Sequence, residues 1–299
     1  MNTVVARSII LFFLGLLLLL VYAVQLPESR LFAGVLSSLS PGCTNEHLEV
    51  HFLDVGQGDA TLIITPDCVK MLIDGGEDRQ VLTRLGEVLS PFDRTIDVVL
   101  GTHPHADHIG GLIDVLQRFT VSDIIITENT IPSQVADRFF KEIRLAEEKD
   151  VQVHYARADQ VYQLGSEVEV KILSPRYNPR NIDADVASIV SKITYGDTSI
   201  LITGDAPIVI EDLLVDVYDT ELESTILKLG HHGSRTSSSA KFLDTVLPQY
   251  AITSAGRDNR HGHPHQEVID RVVERNIIHL TTQEEGTITF FSDGQRLWR

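Results

Sequence analysis

Three imidazoles and a carboxylate fall within the six positions from His103 to His108, as His103, His105, Asp107 and His108. Packing rarely calls for such density. Neutral imidazole is the commonest metal-binding side chain, and an ionised carboxylate adds a hard oxygen donor that Zn²⁺, Mn²⁺ and Fe²⁺ all accept. In an extended segment His103 and His105 fall on one side, whereas Asp107 sits where it could cap a following helix beside His108. Each pair could therefore serve its own ion. Further acids and imidazoles follow short apolar runs: Asp74 after Met71-Leu72-Ile73, Asp205 after Ile200-Leu201-Ile202, and His231 after Ile226-Leu227-Lys228-Leu229. Ligand-capable groups at the ends of several strands converge most easily on one rim of a sheet, and that rim is the expected active site.

The elements that must position these groups are legible as alternating short apolar runs and amphipathic segments. Strands are expected over 48–53, 60–65, 69–73, 96–100, 124–127, 168–173, 188–195, 199–203, 225–229, 250–254, 277–281 and 287–291. Helices are expected over 79–89, 108–119, 139–149, 208–217, 240–246 and 266–274. Gly196-Asp197 reads as a hairpin turn between two of the strands. Strand clusters in each half with helices between them predict an α/β fold of two packed sheets covered by outer helices.

At 299 residues the chain can hold one large catalytic domain, and its net charge of −17 argues against a protein that coats nucleic acid through a basic face. A nuclease whose metals hold the phosphate is not excluded. Cys43 and Cys68 are too few for a disulfide framework and lack CxxC spacing; they could pair outside the cell, but two isolated thiols are expected. Arg7 precedes an apolar stretch from Ile9 to Val24, so residues 1–26 read as a signal anchor or signal peptide, 27–46 as a linker, and 47–299 as the folded domain. No A-x-A cleavage site follows, which favours an uncleaved anchor. With Arg7 held inside, the large domain lies outside the cytoplasm, and it is secreted if the segment is cleaved.

The motifs together resemble the metallo-β-lactamase superfamily and, more narrowly, the lactamase-like domain of the ComEC competence proteins. The likeness is carried by Phe52 to Ala60 with its DVGQGDA core, Leu72 to Gly76, the His103 to His108 cluster, Leu201 to Ala206, Leu227 to Ser234 and Gly262 to His265. It implies an αββα sandwich of two mixed sheets and two divalent metal ions, Zn or Mn. It implies further that His103 and His105 hold one ion, that Asp107, His108 and His231 hold the other, and that Asp205 bridges them. Asp74 becomes an orienting group behind the ligands. The superfamily usually supplies a third histidine to the first ion from just before the bridging Asp, and the stretch Arg180 to Ser188 contains none. Asp183 or Asp185 is left to substitute, and carboxylate favours a harder ion such as Mn²⁺.

Around that centre, Asp54, Gln57 and Asp59 lie in a glycine-bracketed turn placed at the site mouth, with turn hydrogen bonding as the plainer role. His231 is the expected ligand and His232 a structural or substrate-side group. Ser234 lies in a polar loop that could receive a phosphate. His263 is expected as general acid or phosphate contact, with His265 beside it at the start of a helix. The remaining histidines, His47, His51, His154, His261 and His279, are expected to be background. The reading that follows is a metal-dependent hydrolase, a phosphodiesterase or nuclease acting on extracellular DNA, with Asp107, Asp205 and His263 as catalytic groups. It would be a stand-alone enzyme partnered by a separate DNA-uptake channel. A hydrolase of another ester, amide or lactone is the alternative, since fold does not select substrate. A binding domain with a degraded metal site is the third, motivated by the missing histidine.

Overall fold

The structure is a computed structural model that describes residues 30–32 and 45–299 apart from 258. The N-terminal apolar segment, Cys43 and most of the expected linker lie outside the described residues. Among those described, no helix is long and apolar enough to cross a membrane.

A short strand, β1 (Arg30–Phe32), falls within the expected linker, so part of that span joins the fold. The first sheet proper is built from β2 (Leu48–Phe52), β3 (Thr61–Ile64), β4 (Lys70–Ile73), β5 (Val98–Gly101), β6 (Asp123–Ile126) and β7 (Gln152–Tyr155). The second takes β8 (Val161–Leu164), β9 (Val168–Ser174), β10 (Val190–Tyr195), β11 (Thr198–Ile202), β12 (Ile226–Lys228), β13 (Tyr250–Thr253) and β14 (Ile278–Thr281). The chain then returns to the first sheet with β15 (Ile288–Ser292) and β16 (Leu297–Trp298). The sheet orders are β16-β15-β2-β3-β4-β5-β6-β7 and β1-β8-β9-β10-β11-β12-β13-β14. In each sheet an antiparallel meander turns parallel, at β4 in one and at β11 in the other. Both are mixed sheets, as expected.

Between the sheets, Phe52, Met71, Ile73 and Leu100 pack against Ile172, Ile193, Ile200 and Ile252 in one apolar core. Outside the first sheet lie α1 (Gln80–Val88), α2 (Ala106–Arg118) and α3 (Gln134–Glu147), which bury Leu85, Leu112 and Phe139 against Leu72, Val99 and Ile124. Outside the second lie α4 (Ile208–Tyr218), α5 (Ala240–Val246) and α6 (Gln266–Glu274), burying Leu214, Phe242 and Val268 against Leu201, Leu227 and Ala251. The result is four layers, helix–sheet–sheet–helix. The central strands are buried on both faces, which is why they read as continuous apolar runs without alternation. Parallel strands with crossover helices leave their C-terminal ends open on one rim, the usual ligand-binding edge of such sheets.

Two expectations are corrected by the fold. Cys68 is disulfide-bonded, not an isolated thiol. The second helix starts at Ala106, two residues before its expected start, with His105 at the cap position and no side-chain cap bond. Asp107 therefore sits inside the first turn, where the helix dipole favours its charge and its carboxylate is free to face outward.

Candidate metal centre

The C-terminal ends of β4, β5, β11 and β12 meet at this rim and deliver the acids and imidazoles that the sequence placed at strand ends. Asp74 is buried and accepts from the Thr102 amide at 2.8 Å, the Thr102 hydroxyl at 2.7 Å and His108 Nδ1 at 2.8 Å. Its role is to fix the His108 ring, since a proton held on Nδ1 leaves Nε2 as the free donor atom. That Nε2 has no hydrogen-bond partner and lies 3.2 Å from Asp205 Oδ1, itself unpartnered. Two buried polar atoms that approach without bonding are the mark of donors aimed at a third body.

A parallel arrangement holds His232. Its Nδ1 faces Asp59 Oδ1 and the Ser254 carbonyl, both at 3.0 Å, and its Nε2 faces Asp107 Oδ2 at 3.2 Å. The other Asp59 oxygen pairs at 2.8 Å with Lys228 Nζ, whose side chain is 1% exposed. Asp59 is thus not a mouth residue but the buried counterpart of Asp74, orienting His232. The backbone brings it there by close approach: the Asp59 amide donates to the Asp107 carbonyl at 3.1 Å. Gly58 alongside has φ +116, and a Cβ on it would lie 2.1 Å from that carbonyl. Only glycine fits this contact.

Among the described residues, two groups of donors have ligand atoms within 4.8 Å of one another: His103, His105, Asp185 and Asp205, and Asp59, His108, Asp205 and His232. Asp205 belongs to both. Asp107 stands on the open side of the second group, and because Asp59 is already committed to Lys228 and His232, Asp107 is the better donor there. In the first group, Asp185 Oδ1 lies 3.1 Å from His105 Nδ1 and 3.7 Å from His103 Nε2. Asp185 thus supplies a carboxylate beside the two imidazoles of this group, where the sequence offers no third histidine. Asp183, the other candidate, instead accepts from the amides of Asp185 and Val186 and shapes the turn. With two imidazoles and two carboxylates available to each ion, the donors fit a pair of divalent cations that accept nitrogen and oxygen.

The two adjacent histidines take different places. His232 is buried in the second group, whereas His231 is partly exposed, 3.7 Å from Asp205 Oδ2 and 3.8 Å from Asp185 Oδ2. Both have left-handed backbone, φ 50 and 55, in a one-turn 3₁₀ segment after β12, which sends their rings apart. Asp54 is set away from the centre, accepting from the Gly56 amide and pairing with Arg84. Ser234 turns inward to accept from the Thr236 hydroxyl at 3.0 Å. The Nδ1 of His265 accepts from the Arg235 amide at 3.1 Å. None of these three lines the cleft.

The cleft over the centre has a volume of about 520 Å³. Gln57, His105, Asp107, His231 and His263 line it, together with Glu77, Asn259, Arg260 and His261, which sequence reasoning did not single out. His261, expected to be background, reaches the wall because Asn259 folds the loop back. Its Nδ2 donates to the carbonyls of Gly256 and His263, and its Oδ1 accepts from the His263 amide. Lys228 was also missed, although a lysine within an apolar strand is itself a signal of a buried charge partner.

Electrostatics follow from this crowding of acids. Burial opposes ionisation of Asp205, but the His108, His232 and His103 rings hold its carboxyl well below the usual range. Burial likewise works against charge on His232, yet Asp205 and Asp59 raise it to about 9. His108 is raised well above its ordinary value by Asp205 and Asp74 against the same penalty. Burial and the neighbouring His108 push His103 well below the ordinary value. A centre that draws protons onto imidazoles is one with a surplus of negative charge, which divalent cations would neutralise.

The family model of the metallo-beta-lactamase superfamily matches residues 53–257. The chain belongs to this superfamily. It is 30% identical over 265 residues to ComE operon protein 3 of Bacillus subtilis (strain 168), covering 83% of this chain and 33% of that protein. It is 31% identical over 261 residues to competence protein ComA of Neisseria gonorrhoeae, covering 87% of this chain and 34% of that protein. The chain thus spans about a third of the length of these relatives. Among solved structures, Igni18, described as a novel metallo hydrolase from Ignicoccus hospitalis KIN4/I, matches with a TM-score of 0.52 at 12% identity. That match covers 82% of this chain and 98% of Igni18, and it supports the superfamily fold alone.

Proposed function

We propose that the chain is a metal-dependent phosphodiesterase acting on DNA, the ComEC-like member of its superfamily suggested by its motifs and by the competence relatives. The observation that carries this reading is the pair of donor groups sharing Asp205 beneath one open, polar cleft. Two divalent ions held there, Zn or Mn, would supply an activated water near neutral pH and a clamp for the attacking and leaving oxygens of a phosphodiester. The residues divide the remaining work. Asp74 and Asp59 fix His108 and His232 with Nε2 presented. Asp205 and Asp107, both held ionised below the usual carboxylate range, orient the attacking water by accepting its hydrogen bonds. Burial and the His232 and His231 rings push His263 down to about 4, so at neutral pH it serves as a neutral hydrogen-bonding group towards substrate oxygen, not as a charged acid. Its buried Nδ1 has no partner of its own.

Asp185 bears on the competing readings. A degraded centre was suggested by an absent histidine, and the Asp185 carboxylate beside His105 supports a donor set completed without one. The same carboxylate favours a harder ion, so Mn is the metal we propose over Zn. For location we propose a membrane-anchored enzyme facing out of the cytoplasm, or a secreted one if the leader is cleaved, working beside a separate DNA-uptake channel. The disulfide at Cys68 supports an oxidising compartment. The test is incubation of purified protein with linear DNA and Mn²⁺ or Zn²⁺. Degradation that stops with chelator is expected, and intact DNA under every metal overturns the reading. Turnover of a lactone or ester far faster than a chromogenic phosphodiester would favour the alternative substrate class.

A further inference from the structure

The rim that carries the metal centre continues past it. β5, β6 and β7 are parallel neighbours, so their C-terminal ends succeed one another at about 5 Å per strand. Beyond the ends of β6 and β7 a second cleft opens, with a volume of about 630 Å³. Phe140 and Arg144 from α3, Tyr155 from the end of β7, and Arg180 from the loop between β9 and β10 line it. Tyr155 is 50% exposed, unusual for a large ring at a strand end. Arg144 has no ion-pair partner among the described residues. Glu128 in the wall is engaged by both Arg157 and Arg180, the latter at 2.6 Å. In its lining Arg144 and Arg180 balance Glu128 and Asp137, so the cleft is locally neutral in a chain of net charge −17, and Arg144 is the guanidinium left free to meet a phosphate.

We propose that this second cleft is a subsite for single-stranded polynucleotide, holding nucleotides of the substrate strand remote from the bond being cut. The proposal rests on the DNA-cleaving reading above. Exposed aromatic faces stack bases and arginines meet phosphates, the combination by which proteins hold single strands without reading sequence. A duplex hides its base faces and cannot use Tyr155 or Phe140 in this way. Continuity with the metal centre is built into one loop. Asn129, fully buried, donates through Nδ2 to the carbonyls of Pro179 at 2.6 Å and Ile182 at 2.9 Å. Arg180 on that loop lines the second cleft, and Asp185 a few residues later enters the first donor group.

The test measures binding of a fluorescein-labelled oligothymidylate of about twelve nucleotides by anisotropy, in chelator, with wild type and with Tyr155→Ala and Arg144→Ala. Both side chains are exposed, and unchanged thermal midpoints confirm that the variants fold. Each substitution is expected to weaken binding about tenfold, and Arg144→Ala to reduce the slope of log affinity against log salt by about 0.7. A duplex of equal length should bind less tightly. The proposal falls if wild type does not bind the oligonucleotide, if both variants bind as wild type does, or if the duplex binds equally well. Turnover of bis(p-nitrophenyl) phosphate with Mn²⁺, a substrate too small to reach the second cleft, judges the cleavage reading separately. Wild-type binding that depends on Tyr155 and Arg144, without any turnover, would leave the subsite standing and remove the enzyme.

Discussion

Lys228 offers a sharp test of how the centre is held, because its only charged partner among the described residues is a carboxylate that orients a proposed ligand. Lys228→Met keeps the chain length and apolar stem but leaves the Asp59 carboxylate buried, with the His232 Nδ1–H as its remaining partner at 3.0 Å. Breaking a buried ion pair from one side costs about 3–5 kcal/mol, which for a domain of this size lowers the thermal midpoint by about 6–20 °C. A pH signature accompanies it. Burial raises the Asp59 carboxyl, but Lys228 and His232 bring it from 3.8 to about 2. A difference of nearly two pKa units corresponds to about 2 kcal/mol. Because the folded value is the lower one, that contribution is complete above the unfolded pKa near pH 4 and is lost as pH falls towards 2. Without Lys228 the carboxyl titrates closer to its unfolded value, so this contribution shrinks and the acid-side dependence flattens. Replacing both partners, as in Lys228→Met with Asp59→Leu, should recover much of the stability, since His232 Nδ1 still has the Ser254 carbonyl at 3.0 Å. Urea unfolding in chelator at several pH values reads all of this. A single variant that loses less than about 1 kcal/mol with an unchanged acid-side dependence, or a double variant no better than the single, refutes the reasoning.

The same geometry makes further predictions. Asp185→Ala should weaken retention of one metal equivalent by about 10–100-fold, measured by elemental analysis after dialysis against graded chelator, while Asp185→His should raise the preference for Zn over Mn; equal metal content in all three proteins would remove Asp185 from the centre. Gly58→Ala must place a methyl 2.1 Å from the Asp107 carbonyl at φ +116, so urea unfolding should show a loss of about 1–3 kcal/mol or more. Because Asp205 and its neighbours raise His232 to about 9 and His108 well above its ordinary value against the burial penalty, metal binding near neutral pH should displace about two protons and weaken as pH falls. Calorimetry in two buffers of different ionisation enthalpy counts them, and a heat independent of buffer would contradict those raised values.

Much of this was legible in the sequence because the strands are short, apolar and doubly buried, and because each ends in a residue of opposite character. Asp74, His103, Asp205 and the histidine pair all announce themselves in that way. α5 and α6 match their expected ranges, while α3 begins at Gln134, five residues early, because Ser133 caps a polar first turn that apolar periodicity does not register. β7 went unread for a related reason: it is an edge strand whose residues are all at least partly exposed, so no buried face imposes a pattern. At the site, the choice between His231 and His232 depends on two successive left-handed residues, and adjacency in sequence carries no information about which ring turns inward. The place of Asp185 was narrower still. It lies in an irregular loop, so only tertiary contact with His105 separates it from Asp183. Lys228 was visible as a charged residue in an apolar strand, but its partner Asp59 is far away along the chain.

The two donor groups differ in how firmly they are built, and the difference suits a hydrolase cleft. In the second group His108 and His232 are each locked by a buried carboxylate, with Lys228 behind one of them and the Thr102 amide and hydroxyl behind the other's acid. In the first group His105 and Asp185 are partly exposed, and Asp185 arrives on a loop instead of a strand end. Rigid donors cost little reorganisation when charge develops beside them, whereas a loop-borne donor at the cleft mouth leaves room for substrate to approach. Asp205, buried at the end of β11 and within reach of both groups, ties the rigid half to the open one. The half of the chain that supplies β11 and β12 therefore completes a centre whose other donors follow β5, with Asp74 at the end of β4 orienting one of them, and neither sheet holds it alone.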